Sequence, residues 1–203
     1  MKIGIIGAHI VGMRLAKEFA GAGHDIVVTN SRGPESVRAK LKETAASAAI
    51  APSTMAEVLA CELVVLAAPW VKREEVLDPA HNWNGRILLD TTNIYLSYPP
   101  HYRVDDLQGD SGSEIIARLA PTARVVKAFN TLDFGVMFSP VPEGLKRVLF
   151  VAGDDESATA MVCKLIEEIG FHPVALGTLA TGGRLMDLEK PLSLLNVLRP
   201  TPH

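Results

Sequence analysis

Gly7, His9 and Gly12 share a short turn near the start of the chain and have the spacing of a nucleotide-binding motif. In the ideal G-x-G-x-x-G, the first glycine makes a tight turn, the second lets the backbone approach a pyrophosphate, and the third lets a helix pack closely against a strand. His9 replaces the middle glycine. Its imidazole either donates a hydrogen bond to the pyrophosphate or crowds the turn and weakens binding, and both interpretations remain open.

Asn30, Ser31 and Arg32 form a second polar cluster, at the position where an NAD-binding site carries Asp or Glu. A carboxylate there would repel a 2′-phosphate, whereas a hydroxyl and a guanidinium would bind one, since the arginine fork matches the phosphate oxygens. Ser36, in the next predicted helix, adds a second hydroxyl. The cluster therefore predicts NADP(H) rather than NAD(H), and the alternative is an arginine that is merely solvated in a turn.

A βαβ unit positions both clusters. Residues 2–6 are a short apolar run that predicts a buried parallel strand, residues 13–20 take up helical period, and residues 25–29 predict a second strand. The turn after the first strand then lies at a helix N-terminus, where free backbone N–H groups bind anions. This arrangement is typical of a site for a dinucleotide pyrophosphate.

Further apolar segments predict strands over residues 48–50, 62–68, 86–90 and 124–128. Six strands with intervening helices match the doubly wound order 3-2-1-4-5-6, so we expect an α/β Rossmann fold with a mostly parallel sheet. The carboxyl ends of the strands border the ligand crevice in such a fold. The candidate site residues that follow these ends are Ala68, Pro69, Trp70, Asn93, Asn130 and Thr131.

Three local features bear on this predicted site. Trp70 either flanks a nicotinamide or its ribose, or simply covers the end of its strand. Ser53 is the expected N-cap of a short helix, with Ala56 or Glu57 at the return position of a capping box. Residues 94–110 are expected to form an irregular loop, and a loop of this length in a compact domain is usually functional.

The C-terminal part of the chain predicts a small addition to the dinucleotide-binding domain. We expect residues 1–135 to form the NADP-binding domain and residues 136–203 a small α/β unit that completes the substrate crevice. A series of leucines after Gly182-Gly183 has roughly helical spacing, which predicts a terminal helix whose apolar face belongs to the core or to a homodimer contact. These leucines are Leu185, Leu188, Leu192, Leu195 and Leu198.

Composition excludes several classes of function. The 203 residues carry a formal net charge of −3, with no basic stripe, so no nucleic acid or anionic membrane is an expected partner. Because the first strand begins at Lys2 and no apolar run could cross a bilayer, we expect a cytoplasmic protein without a leader. The six histidines lack metal-ligand spacing, so no metal is expected, and no G-x-S-x-G motif indicates a nucleophile.

Taken together, these segments resemble the NADPH-dependent coenzyme F420 reductase family. The resemblance covers nearly the whole chain, and its most distinctive part is the run Lys127-Ala128-Phe129-Asn130-Thr131. The same nucleotide module is similar to the cytosolic reductase domain of membrane metalloreductases, which passes hydride from NADPH to a flavin. The chain departs from the family pattern at His9 and around residues 181–186.

The resemblance implies direct hydride transfer between the nicotinamide C4 and C5 of a 5-deazaflavin, which needs no catalytic side chain. It implies that Ala8, His9, Ile10 and Val11 lie at the pyrophosphate, between Gly7 and Gly12. Ser31 and Arg32 would bind the 2′-phosphate. Trp70 and Asn93 would line the nicotinamide side, with Asn130 and Thr131 near the hydride-transfer centre.

Two hypotheses of different kinds follow. The first is an NADP(H)-dependent oxidoreductase whose acceptor is coenzyme F420 or a flavin. The second is an NADPH-binding Rossmann sensor without turnover. The loop over residues 94–110 distinguishes them, because an enzyme needs this loop to leave space for a second planar ring.

Overall fold

The computed structural model of the chain describes residues 1–43, 49–98 and 100–201. Within these residues, nine strands form one sheet and two more form a separate hairpin. The strands are β1 (Lys2–Ile6), β2 (Asp25–Thr29), β3 (Ile50–Pro52), β4 (Leu63–Leu66), β5 (Ile87–Asp90), β6 (Tyr95–Ser97), β7 (Arg103–Val104), β8 (Arg124–Ala128), β9 (Leu145–Gly153), β10 (His172–Ala175) and β11 (Leu198–Pro200).

Helices cover both faces of the sheet. The described α-helices are α1 (Ile10–Gly21), α2 (Pro34–Glu43), α3 (Met55–Leu59), α4 (Arg73–Val76), α5 (Gly112–Leu119), α6 (Phe134–Met137), α7 (Glu156–Glu168) and α8 (Arg184–Met186). Alternate residues of β4 enter two different apolar clusters: Val65 packs with α1 and α7, whereas Val64 packs with α3 and α5. Strands buried on both faces explain the continuous apolar runs of the sequence.

The sheet confirms the predicted fold class. Its order is β10-β9-β8-β5-β4-β1-β2-β3, and the pairs from β3 through β8 are all parallel. When these six strands are numbered one to six along the chain, their order in the sheet is 3-2-1-4-5-6, as expected. Beyond them β9 pairs antiparallel with β8, β10 pairs parallel with β9, and β11 pairs antiparallel with β9. The residues after 136 therefore extend the same sheet.

The predicted terminal helix is wrong. Only α8 and a preceding π-helical turn, Leu179–Gly183, are helical there. Glu189 and Leu194 have φ of 62° and 61°, a left-handed conformation that interrupts a helix. The leucines therefore share no helical face: Leu188 is buried, whereas Leu185 and Leu195 are 43% and 42% exposed. The apolar face on which the homodimer expectation rested does not form.

Other local predictions also need correction. The N-cap of α3 is Thr54 rather than Ser53, with a complete capping box to Glu57. The segment before α4 is a 3-10 helix, Trp70–Lys72, and the predicted irregular loop contains the β6-β7 hairpin. The structure describes α2 as far as Glu43, and residues 44–48, which include the start of the strand predicted over residues 48–50, lie outside the described residues.

Candidate functional site

The turn between β1 and α1 requires both of its glycines. Gly7 has φ of +118°, and a Cβ there would lie 2.3 Å from the carbonyl oxygen of Ala67. A Cβ on Gly12 would lie 1.9 Å from the carbonyl oxygen of Gly7. Contacts this short cannot exist, so any side chain at either position must displace backbone. The turn therefore holds α1 tightly against the ends of β1 and β4.

The N-terminus of α1 presents free backbone donors at this turn. The N–H of Met13 donates to the carbonyl of His9 at 2.9 Å, which is the first bond of the helix. The N–H groups of Ile10, Val11 and Gly12 precede it and have no intrahelical acceptor. The first helical turn carries no acidic residue. These three donors, with the helix dipole, form a site suited to a pyrophosphate.

His9 is the N-cap of α1 and needs no glycine-like backbone. Its φ is −100° and its ψ −165°, an extended conformation that any residue adopts. The side chain is exposed and makes no capping hydrogen bond with the described residues. Any effect of the imidazole on nucleotide binding must therefore come from contact with the ligand and not from strain in the turn.

The loop after β2 is ordered by Asn30. Its Oδ1 accepts from the N–H of Arg32 at 2.9 Å, and its Nδ2 donates to Ser36 Oγ at 3.3 Å. Ser31 and Arg32 are exposed, and no described carboxylate pairs with the Arg32 guanidinium. Arg38, in contrast, forms an ion pair with Glu35. Asn30 therefore shapes the loop, and Ser31 and Arg32 are left available for an anionic ligand.

Trp70 follows the end of β4, after Ala68 and Pro69. Its side chain is 1% exposed, its Nε1 donates to Asp105 Oδ2 at 2.8 Å, and the guanidinium of Arg73 stacks 4.2 Å from the ring centroid. The indole therefore has no open face toward the crevice. The structure therefore favours the second interpretation of Trp70, in which the indole covers the end of its strand.

Asn93 and Asn130 meet across the ends of β5 and β8. Asn93 Nδ2 donates to the carbonyl of Asn130 at 3.0 Å, and Asn130 Nδ2 donates to Asn93 Oδ1 at 3.2 Å and to the carbonyl of Met186 at 2.8 Å. These bonds fix the orientation of the Asn130 amide. Its buried Oδ1 has no hydrogen-bond partner among the described residues. A free acceptor thus lies at the strand end, beside the buried Thr131.

A buried charged cluster below these asparagines was missed in the sequence. Lys127 Nζ lies 3.0 Å from Asp187 Oδ1 and 3.9 Å from Asp90 Oδ2. Ser113 Oγ donates to Asp90 Oδ2 at 2.5 Å. All four side chains are buried. The sequence did contain one indication of this cluster, the lysine among the apolar residues near the end of β8. A fully buried lysine needs a partner.

A cavity of about 520 Å³ opens beside the strand ends. One wall is formed by residues 104–110 and the other by residues 184–191, with Ile94 and Asp187 among the lining residues. Ile94 follows Asn93 directly, and Asp187 contacts Lys127 of β8. The loop over residues 94–110 therefore leaves an open space between itself and residues 184–191.

Across the described ranges, no helix has the length and apolar character needed to cross a membrane. In the same part of the chain, no group of three or more His, Cys, Asp or Glu side chains is arranged to hold a metal ion. Cys61 and Cys163 are free. Burial raises the pKa of both thiols, which disfavours thiolate chemistry at either one.

Comparison with known proteins agrees with this geometry. Residues 2–94 match the family model of NADP oxidoreductase, coenzyme F420-dependent. A hypothetical protein of Sinorhizobium meliloti has a similar structure, with 35% identity, a TM-score of 0.86, and coverage of 98% of this chain and 96% of that one. A candidate F420-dependent NADP-reductase of an Arthrobacter species has 28% identity and a TM-score of 0.71, covering 88% of this chain and 86% of that one.

One similar protein is much longer than this chain. Metalloreductase STEAP3 of Rattus norvegicus is 29% identical over 197 residues, which are 96% of this chain and 37% of the relative. The chain thus spans little more than a third of that protein. The fold and the crevice are those of the Rossmann-type NADP(H)-dependent oxidoreductases. Within that class, residues 2–94 resemble the coenzyme F420-dependent NADP oxidoreductase family, whose model they match.

Proposed function

We propose that this protein transfers a hydride between NADPH and a planar acceptor of the deazaflavin or flavin class, coenzyme F420 or a flavin. Family and fold support NADP(H) as the nucleotide. The observation that carries the proposal is the cavity of about 520 Å³, because it offers room for a second ring; its lining includes Ile94, which follows Asn93, and Asp187, which follows the Met186 carbonyl bonded to Asn130.

The crevice has a suitable group for each part of NADPH. The N–H groups of residues 10–12 would bind the pyrophosphate, and Ser31 and Arg32 would bind the 2′-phosphate, with Ser36 close by. The backbone at Ala68 and Pro69 would line the ribose. The free Oδ1 of Asn130 would accept from the carboxamide of the nicotinamide, a group that donates through its NH2.

The chemistry asks for position more than for an acid or a base. The nicotinamide supplies the hydride from C4, and the acceptor ring takes it at C5 of a deazaflavin or at the equivalent flavin nitrogen. The protein must hold the two rings face to face and exclude water from between them. Asn93, Asn130 and Thr131 would hold one ring, and the apolar cavity residues Ile94, Leu107 and Leu188 would contact the other.

A sensor without turnover is the alternative. One contact favours it: the N–H of Leu194 donates to the carbonyl of Thr131 at 2.7 Å, so residues near Leu194 lie over the end of β8. If this cover shuts the nicotinamide away from the cavity, NADPH would bind without an acceptor. The cavity next to the same segment supports the enzyme more strongly.

Steady-state oxidation of NADPH by the purified protein tests the proposal, with coenzyme F420, FMN, riboflavin or no acceptor added. We expect oxidation that depends on one of the three acceptors and is faster with NADPH than with NADH. Calorimetric titration with NADPH runs beside it. Tight NADPH binding without consumption by any acceptor would overturn the enzyme and favour the sensor. Absence of NADPH binding would overturn both.

A further inference from the structure

The chain crosses the end of β8 as an irregular segment, residues 186–194, which we call the strap. The carbonyl of Met186 accepts from Asn130 Nδ2 at 2.8 Å, and the N–H of Leu194 donates to the carbonyl of Thr131 at 2.7 Å. The strap therefore touches both residues that we place nearest the hydride-transfer centre. Its middle part, residues 187–191, also forms one wall of the cavity.

Asp187 fixes the strap to the body of the protein. One carboxylate oxygen lies 3.0 Å from Lys127 Nζ, and the other accepts from the N–H of Gly112, the first residue of α5, at 3.0 Å. Lys127 and Asp187 are 0% and 2% exposed. Asp90 lies farther from Lys127, at 3.9 Å, and has its own donors in Ser113 and the N–H of Thr92. Asp187 is therefore the closer partner of the lysine.

Apart from its bonds to Asn130 and Thr131, the strap is held by turn hydrogen bonds, such as that from the N–H of Ser193 to the carbonyl of Lys190 at 2.9 Å, and by the Tyr102 hydroxyl, which donates to Glu189 at 3.1 Å. It contains no helix after Met186 and no strand, and Glu189 and Leu194 hold left-handed backbone conformations that non-glycine residues rarely adopt. A strained, irregular segment keeps one geometry only where its contacts over-determine it. A buried ion pair is a weak source of net stability, but removing one partner leaves an uncompensated charge, so it imposes one arrangement.

We propose that Asp187 and Lys127 are positioning residues that hold the strap as the wall of the acceptor site, so that they determine acceptor binding much more than NADPH binding. This inference rests on the proposed function. Neither residue contacts the N-terminus of α1 or the loop of Ser31 and Arg32, where the pyrophosphate and the 2′-phosphate would bind, so most of the NADPH affinity should remain. The strap does border the cavity, which explains why acceptor affinity is affected.

Asp187→Asn tests the pair with little change of shape. The amide oxygen can still accept from Gly112, but the charge opposite Lys127 is lost, while Asp90 remains near the lysine. Glu168→Gln is the matched control, because it also converts a carboxylate to an amide, in α7, where Glu168 contacts His24 at 2.9 Å. Lys127→Met combined with Asp187→Asn removes both charges and serves if the single variant does not fold.

For Asp187→Asn we expect the KM for the acceptor to rise at least about tenfold, because the strap loses the charge that holds it against Lys127. The Kd for NADPH should stay within about twofold of the original. Glu168→Gln should change neither. An acceptor KM that stays unchanged in Asp187→Asn, or a parallel loss of NADPH affinity, would show a merely structural role and overturn the inference.

Amide hydrogen exchange separates this inference from the proposed function, because it needs no turnover. The N–H of Lys190, which donates to the carbonyl of Asp187 at 3.2 Å, and the N–H of Leu194 should exchange faster in Asp187→Asn, whereas amides of β10 should not. Unchanged exchange in the strap would overturn the role of the pair. If the original protein reduces no acceptor, the proposed function falls, whatever the exchange shows, and the inferred effect on the acceptor falls with it.

Discussion

Gly12 faces Gly7 so closely that a Cβ on Gly12 would lie 1.9 Å from the Gly7 carbonyl oxygen. The first glycine of the motif bends the chain, and the last lets the helix begin against that bend. The N–H groups that we assign to the pyrophosphate belong to residues 10–12, so their direction depends on this one approach between the two glycines. A methyl group on Gly12 would push the helix away from the turn and so redirect these N–H groups.

Gly12→Ala should therefore weaken NADPH binding by about tenfold or more and destabilise the fold by about 1–3 kcal/mol through overpacking. Gly21→Ala in the same helix is the control, because nothing among the described residues lies within 4 Å of a Cβ there. That change should be neutral or stabilise by up to about 1 kcal/mol. Calorimetric titration and urea unfolding measure the two effects, and equal behaviour of the two variants would contradict the close approach.

Arg32→Ala should discriminate between the two nucleotides. The guanidinium is exposed and no described carboxylate neutralises it, so its charge is available to a 2′-phosphate. We expect NADPH to bind about 10- to 100-fold more weakly, and NADH to change little, from the loss of one or two charge-assisted bonds. Arg38→Ala is the control, since Arg38 is paired with Glu35. Equal losses for NADPH and NADH would refute the 2′-phosphate site.

His9→Gly separates the two roles left open for the imidazole. Because its backbone is extended and its side chain is exposed at a helix N-terminus without acidic residues, we expect the ring to donate to the pyrophosphate. His9→Gly and His9→Ala should then both weaken NADPH binding, by about 2- to 10-fold. Tighter binding of NADPH by His9→Gly would instead show that the ring crowds the turn. The alanine variant controls for the added freedom of a glycine backbone.

The order of the sheet was predictable because local patterns determine it. Each apolar run, such as that ending at Leu66, is bounded by turn residues and separated from the next by helical period, and parallel crossovers allow few arrangements. Asn93 and Asn130 were each expected at the crevice for the same reason, since both follow strands whose carboxyl ends border it. Their mutual hydrogen bonds agree with that reasoning.

The strap was not predictable, because tertiary contacts override its local pattern. Leucines from Leu185 to Leu198 have helical spacing, yet Asp187 is drawn to Lys127, sixty positions earlier, and Asn130 holds the carbonyl of Met186. A pattern of apolar residues does not reveal where a distant charge needs a partner. Trp70 illustrates a similar limit: its position after β4 was read from the sequence, but the direction of its indole was not.

Glu57 offers a test of pH dependence outside the crevice. The Ser53 hydroxyl, which donates to its carboxylate at 2.6 Å, and then the N–H and hydroxyl of Thr54 lower the pKa of Glu57 from 4.5 to about 2. A pKa lower in the folded than in the unfolded state means that the carboxylate stabilises the fold above pH 4.5 and loses this effect as the pH falls toward 2. Acid should therefore weaken the cap of α3.

Glu57→Gln should lower the melting temperature above pH 4.5, because a neutral amide accepts weaker hydrogen bonds from Ser53 and Thr54. The difference from the original protein should shrink steadily as the pH falls from 4.5 toward 2, where Glu57 is itself protonated. Thermal unfolding across this range measures it, with Glu62→Gln, an exposed carboxylate in the next turn of chain, as the control. If the difference in melting temperature between the original protein and Glu57→Gln were independent of pH, it would come from the packing of the two side chains. The charge of Glu57 would then not stabilise the helix.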